Sequence, residues 1–259
     1  MTAAGLEGMA GAAGLLQASI VVDPLDTSEP GASFQPNRPL SPASMIKLPI
    51  AEALRERCRR GELTLTQRAR VADHNLTFND LPSPFVSGAS ATLEELARAM
   101  LAASDNVATN VLIDVLGRET ITAHCRSLGL TQTAVRRKLS GSLPLVADPL
   151  ATGRNEHPAG DAARLLRLVA ARAQDEPDFV LAALAAQRWN EKLSAGFGPG
   201  ASFAHKTGDT DEVSHDGGIL TLPGGRRYVV VVYTGLPSSP EHDRRFADFA
   251  RALRRGLSA

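Results

Sequence analysis

Ser44 and Lys47, three residues apart in Ser44-Met-Ile-Lys47, are the pair of side chains best placed by spacing to carry out acyl transfer. At the start of a helix this spacing turns a hydroxyl and an amine toward one face, where they can share a hydrogen bond. A tetrad this short arises by chance in roughly a quarter of chains of this composition, so alone it reads equally well as a surface serine beside a snorkelling lysine. Two further motifs reduce the coincidence. Ser104-Asp105-Asn106 falls at a helix junction and Lys206-Thr207-Gly208 on an expected strand, each a chance event in about one such chain in forty or fifty. Residue usage points the same way, because the chain has 24 arginines and only 4 lysines, two of which lie inside these motifs. A guanidinium cannot act as a base, whereas a desolvated lysine beside another cation can lose its proton. Lys47 facing Lys206 is therefore expected to have its pKa lowered enough to deprotonate Ser44.

In this order and on these elements, the three motifs resemble the class A β-lactamases and their penicillin-binding relatives, over most of the chain from Leu16 to the last helix. The resemblance implies that Ser44 is acylated, that Lys47 activates it and that Ser104 relays a proton to the leaving nitrogen. It implies that Asn106 holds the substrate amide and that Lys206 with Thr207 receives its carboxylate. The backbone N–H groups of Ser44 and Asp209, the latter just past Gly208, match the family's oxyanion hole. The implied ligand is a small molecule, a β-lactam or an acyl-D-Ala-like compound, bound without metal or cofactor.

The pattern departs from class A at the loop glutamate that aims water at the acyl-enzyme. The matching stretch, Arg136-Arg-Lys-Leu-Ser-Gly-Ser142, offers Ser or Gly there. Asp148 and Glu156 are the nearby acids, and each reads more simply as a solvated loop residue. Three readings stay open: a β-lactam hydrolase, a D-Ala-D-Ala peptidase or esterase, and a penicillin-binding protein acylated without turnover. His215-Asp216 stands where many class A enzymes carry an arginine and reads as a buried structural pair. Phe78 reads as a packed loop residue rather than an aromatic lid, and Trp189, in a helical pattern, as core.

Several elements must position these residues. Leu16 to Asp23 and Ala32 to Gln35 read as a hairpin, and Phe203 to Thr207, His215 to Leu222 and Arg227 to Thr234 as later strands, the last two joined at Pro223-Gly224-Gly225. Between them the pattern is helical: from Ser44 to a stop at Gly61, then a capping box of Thr92 and Glu95. Further helices run over Val107 to Leu116, Glu119 to Ser127, Asp161 to Ala173 and Phe179 to Leu193, with glycine stops at Gly117 and Gly129. Ser239 and Pro240 open a terminal amphipathic helix. The expected fold is two-lobed α/β (α+β). An antiparallel sheet of about five strands is flanked by N- and C-terminal helices and carries an inserted all-helical lobe. The α/β lobe takes 1–43 and 196–259, and the helical lobe 44–195.

Composition bounds the alternatives. With 28 basic against 28 acidic residues, no net charge draws the chain to nucleic acid or a membrane surface. The apolar run Val229 to Val232 is far shorter than the roughly 18 residues of a spanning helix. Met1 to Gln17 lacks a basic n-region, so the chain as written is expected to be cytoplasmic, with a periplasmic or secreted setting if the true start lies upstream. Cys58 and Cys125 lack metal-ligand spacing and read as reduced thiols, no zinc-ligand set or G-x-S-x-G elbow is present, and Gly196, Gly198 and Gly200 precede a strand, unlike a dinucleotide fingerprint. A monomer is expected. If Lys47 is the base, Lys47→Arg lowers the acylation rate by about 100-fold, as intact mass against time will read; a full rate in the variant would remove the assignment.

Overall fold

Tyr228 to Tyr233 is an unbroken run of buried side chains, and a strand of that kind needs cover on both faces. The computed structural model, which describes residues 1–15, 17–142, 144–173 and 178–258, supplies that cover. In chain order its elements begin with α1 (Ala3–Ala12), β1 (Ser19–Pro24), β2 (Ala32–Phe34), a 3-10 turn (Ala43–Ile46), α2 (Lys47–Arg59), β3 (Arg68–Arg70) and a second 3-10 turn (Asp73–Asn75). They continue with β4 (Ser90–Thr92), α3 (Leu93–Ala102), α4 (Asn106–Leu116), α5 (Arg118–Ser127), α6 (Ala159–Arg172), α7 (Phe179–Ala185) and α8 (Leu193–Phe197). The last are β5 (Ser202–Asp209), β6 (Ser214–Thr221), β7 (Arg227–Thr234) and α9 (Pro240–Ser258).

Contacts divide the chain into two units, one formed by Met1–Met45 with His157–Ala259 and the other by Ile46–Glu156. The first holds a five-stranded antiparallel sheet in the order β2-β1-β7-β6-β5. Val230 and Val232 of β7 face a core built with Leu6 of α1, Phe197 of α8 and Phe246, Phe249 and Leu253 of α9. On β7 the alternate residues Val229 and Val231 are equally buried, and α6 packs on β1, β6 and β7. The mixed α/β architecture is the expected one. The helical insertion, expected over 44–195, is shorter as a compact unit because α6 and α7 pack on the sheet and belong with it. The first strand was expected from Leu16, which lies outside the described residues; β1 itself starts at Ser19.

Within the second unit, α3 begins at the expected capping box, with Glu95 N donating to Thr92 Oγ1 at 3.1 Å and Thr92 N to Glu95 Oε2 at 2.7 Å. Leu93, Leu96, Ala97, Met100 and Leu101 are buried. The two-stranded sheet of β3 and β4 was not foreseen, since three residues are too few to display an alternating pattern. Cys58 on α2 and Cys125 on α5 form no disulfide. Among the described residues no helix is long and apolar enough to cross a membrane.

The helix expected over Phe179 to Leu193 stops at Ala185 as α7, and a side-chain-held turn leads from it to α8, which starts at Leu193. Gln187 Oε1 accepts from Arg188 N and Trp189 N at 2.9 and 3.2 Å, and Asn190 Nδ2 donates to Gln187 O at 2.9 Å. These amides take over backbone groups that a helix would have paired. Trp189 therefore sits half-buried in a turn, not on a core-facing helix.

His157 and His215 are fully enclosed in the first unit, and burial pushes their pKa values from 6.5 down to about 3 and about 4. Unfolded, each ring takes up a proton near pH 6.5, while the folded chain resists it until pH 3 to 4. Stability is thus complete above pH 6.5 and is lost as pH falls toward 4, on the order of 3 kcal/mol from His215 alone. Denaturation midpoints measured from pH 7.5 to 4.5 should decline steadily below 6.5; a flat profile would contradict the neutral burial of these rings.

Candidate active site

Ser44 lies in the 3-10 turn Ala43–Ile46, which runs directly into α2 at Lys47. The turn is entered through an unusual backbone: Ala43 has φ of +45°, a left-handed conformation that a residue with a Cβ adopts only under constraint. Part of the constraint comes from the sheet of the same unit. His215, fully buried on β6, bonds to Ser41 O through Nε2 at 2.7 Å, and its Nδ1 faces Thr234 N at 3.2 Å. A backbone N–H can only donate, so Nδ1 is the accepting nitrogen and Nε2 carries the proton. That neutral tautomer agrees with the downward push of burial on the ring's pKa, to about 4.

His215 and Asp216 are both buried, as expected, but they hold different partners. Asp216 faces His205 Nδ1 at 2.7 Å and accepts from Leu193 N at 3.0 Å. Gly208 on β5 completes the seat of the turn. A Cβ there would come within 3.1 Å of Pro42 O and 3.2 Å of Met45 N, so strand and turn touch through the missing side chain. The first unit by itself therefore sets the turn of Ser44, itself only partly buried, against Gly208 of the Lys206-Thr207-Gly208-Asp209 strand end. On that strand Lys206 is fully buried and donates to Thr207 O at 2.8 Å.

The second unit gathers the other expected residues. Lys47 is fully buried, and its Nζ donates to Ser104 O at 2.6 Å, Ser104 Oγ at 3.0 Å and Asn106 Oδ1 at 2.8 Å. Two of these partners are carbonyl oxygens that can only accept. The Ser104 hydroxyl can reverse its role and donate to the amine, so this set of contacts suits both the charged and the neutral form of Lys47. Ser104 sits at φ +59°, a second non-glycine residue in the left-handed region. Asp105 is the cap of α4: its carboxylate accepts from Ala108 N at 2.8 Å. Asn106 is anchored through its N–H to Asn79 Oδ1 at 2.5 Å and through Nδ2 to Phe78 O at 3.0 Å. Phe78, expected to be packed, is 55% exposed; the loop is held by its backbone, not its ring.

The acids considered for water activation are committed elsewhere. Asp148 accepts from Lys138 N at 2.7 Å and from Arg118 Nη2 at 2.5 Å. Glu156 pairs with Arg136 at 2.6 Å. Earlier in the same loop Leu139 is held at both backbone groups: its N–H donates to Asn110 Oδ1 at 2.8 Å and its carbonyl accepts from Asn110 Nδ2 at 3.0 Å. Asn110, one helical turn beyond Asn106, was not singled out in the sequence, although an (i, i+4) pair of asparagines on one face was a signal available there. Lys138 and Lys192 were also passed over. All four lysines are at most 5% exposed, so lysine scarcity marked every one of them as an interior charge. Among the described residues no three His, Cys, Asp or Glu side chains cluster to hold a metal.

The chain matches the model of the beta-lactamase enzyme family over residues 4–257. No curated protein matches it. Among solved structures, a leucine-to-glutamate mutant of PBP-A, an acyl-enzyme complex with penicillin G, is 25% identical with a TM-score of 0.86, the match covering 100% of this chain and 98% of that one. A beta-lactamase from Sphaerobacter thermophilus is also 25% identical, with a TM-score of 0.81 and coverage of 98% and 96%. An ancestral class A beta-lactamase, 23% identical with a TM-score of 0.83 and coverage of 98% and 99%, shares the fold.

Asn110 is fully buried and bonds Leu139 in both directions as well as Asn75 O at 3.2 Å. Asn110→Ala should cost about 3 kcal/mol by leaving buried backbone groups unpaired, as read by urea denaturation; a loss below about 0.5 kcal/mol would show that the loop is held otherwise.

Proposed function

Because the chain belongs to the beta-lactamase enzyme family, we propose that it is a serine acyl-transfer enzyme that opens β-lactams by forming an ester on Ser44. The observation that carries this reading is the buried amine of Lys47 with its reversible partner Ser104. In the proposed reaction the neutral Lys47 amine takes the Ser44 proton as Oγ attacks the lactam carbonyl. The C–N bond then breaks, and the proton passes through the Ser104 hydroxyl to the leaving nitrogen. The N–H groups of Ser44 and Asp209 stabilise the oxyanion. Asn106 holds the substrate's amide, and Lys206 with Thr207 receives its carboxylate.

Release of the acyl group is the slow half of this reading. Asp148 and Glu156 are tied to cations, and the loop position gripped by Asn110 carries an apolar side chain, Leu139. That supports a long-lived acyl-enzyme over rapid hydrolysis. A D-alanyl peptide or ester as substrate is the second reading, since the acylation machinery does not fix the leaving group.

Incubation with penicillin G and a chromogenic cephalosporin, followed by intact mass and by product release, tests the proposal. A stoichiometric adduct with slow turnover, abolished in Ser44→Ala, is the expected result; lactam opening at the parental rate by Ser44→Ala would refute it. Leu139→Glu supplies a carboxylate at the gripped position, and its turnover of the cephalosporin should rise by about 100-fold. Unchanged turnover would show that Leu139 is not what withholds deacylation.

A further inference from the structure

Lys192 stands outside every motif, yet it is 4% exposed and forms an ion pair with Asp209. Its Nζ donates to both oxygens of Asp209, at 2.5 and 2.7 Å, and to His215 O at 3.2 Å, and it lies 5.6 Å from the Phe246 ring centroid. Asp209 Oδ1 also accepts from Ser214 Oγ at 2.9 Å. Glu191, Asp216 and Asp243 of α9 also act on this cluster, and Asp243 is held above the usual carboxylate range, chiefly by burial, and so disfavours a charge of its own. Asp209 is the carboxylate that Lys192 contacts directly.

Asp209 ends β5, an edge strand of the sheet, three residues beyond Lys206. Edge strands lack a second neighbour to hold them in place. An uncompensated carboxylate there would also oppose the anionic group that Lys206 is proposed to receive. We propose that Lys192 is a positioning residue for the β5 terminus: it fixes Asp209 and cancels its charge, so that the strand end accepts an anionic substrate. This rests on the functional reading above.

The consequence is a charge-selective defect. Second-order acylation constants for penicillin G and for its uncharged methyl ester, measured by intact mass, separate the possibilities. In Lys192→Met the constant for the anion should fall about tenfold more than that for the ester. The ratio of the two within one sample is independent of how much of the variant is folded. Adding Asp209→Asn to Lys192→Met should return the ratio to within about threefold of the parent, because the uncompensated charge is gone. Equal losses for anion and ester, with no recovery in the double variant, would overturn the role of Lys192 while leaving the acylation of Ser44 intact. A parent that is acylated by neither compound would instead overturn the functional reading, and the role of Lys192 with it.

Discussion

An amine with no access to water must find its partners in the protein, and Lys47 finds Ser104 O, Ser104 Oγ and Asn106 Oδ1. Burying that nitrogen without them would cost several kcal/mol, so the start of α2 and the junction of α3 with α4 are bound to each other through it. The same contacts define its chemistry. Carbonyl oxygens hold two of its hydrogens whatever its charge, and the serine hydroxyl can take either role. A buried lysine with only carboxylate partners would be fixed as a cation, whereas this one has a neutral alternative built into its surroundings.

Within each unit, neighbouring groups hold strained or tightly packed backbone in place. Ala43 and Ser104 both occupy left-handed conformations without the freedom of glycine, which costs about 1 to 3 kcal/mol apiece and persists only where neighbours insist on it. At Ala43 the neighbours are the His215 bond to Ser41 and the contact of Gly208 with Pro42 and Met45. At Ser104 they include the two bonds from Lys47 and the capped start of α4. Asn110 and Asp148 hold the loop beyond by backbone groups, at Leu139 and Lys138.

What could be read from the sequence was what is decided locally. The Thr92–Glu95 box, the glycine stops at Gly117 and Gly129 and the valine run of β7 depend on a few adjacent residues, and they formed as expected. The motifs around Ser44, Ser104 and Lys206 are equally local and could be picked out in the sequence, while the joint role given to them is a proposal. Features that depend on distant partners were not legible. Gln187 and Asn190 break a helix partly because Gln187 also reaches His205 O across the fold. The grip of Asn110 on Leu139 spans 29 residues, and the extent of the helical unit was misjudged because the sheet-facing side of α6 resembles any other amphipathic stripe. Two further buried lysines, Lys138 and Lys192, carried a compositional signal that was applied only to their motif-bearing counterparts.

The central claim is that Lys47 works as an uncharged amine, and four lysines in the whole chain make it directly observable. In protein labelled with 13C at lysine Cε, the Lys47 signal can be assigned by its loss in Lys47→Arg and followed across a pH titration beside the rate of Ser44 acylation by penicillin G. The account predicts that this signal changes from ammonium to amine over the same pH range in which acylation switches on. An ammonium signal that persists where acylation runs at its full rate would contradict it.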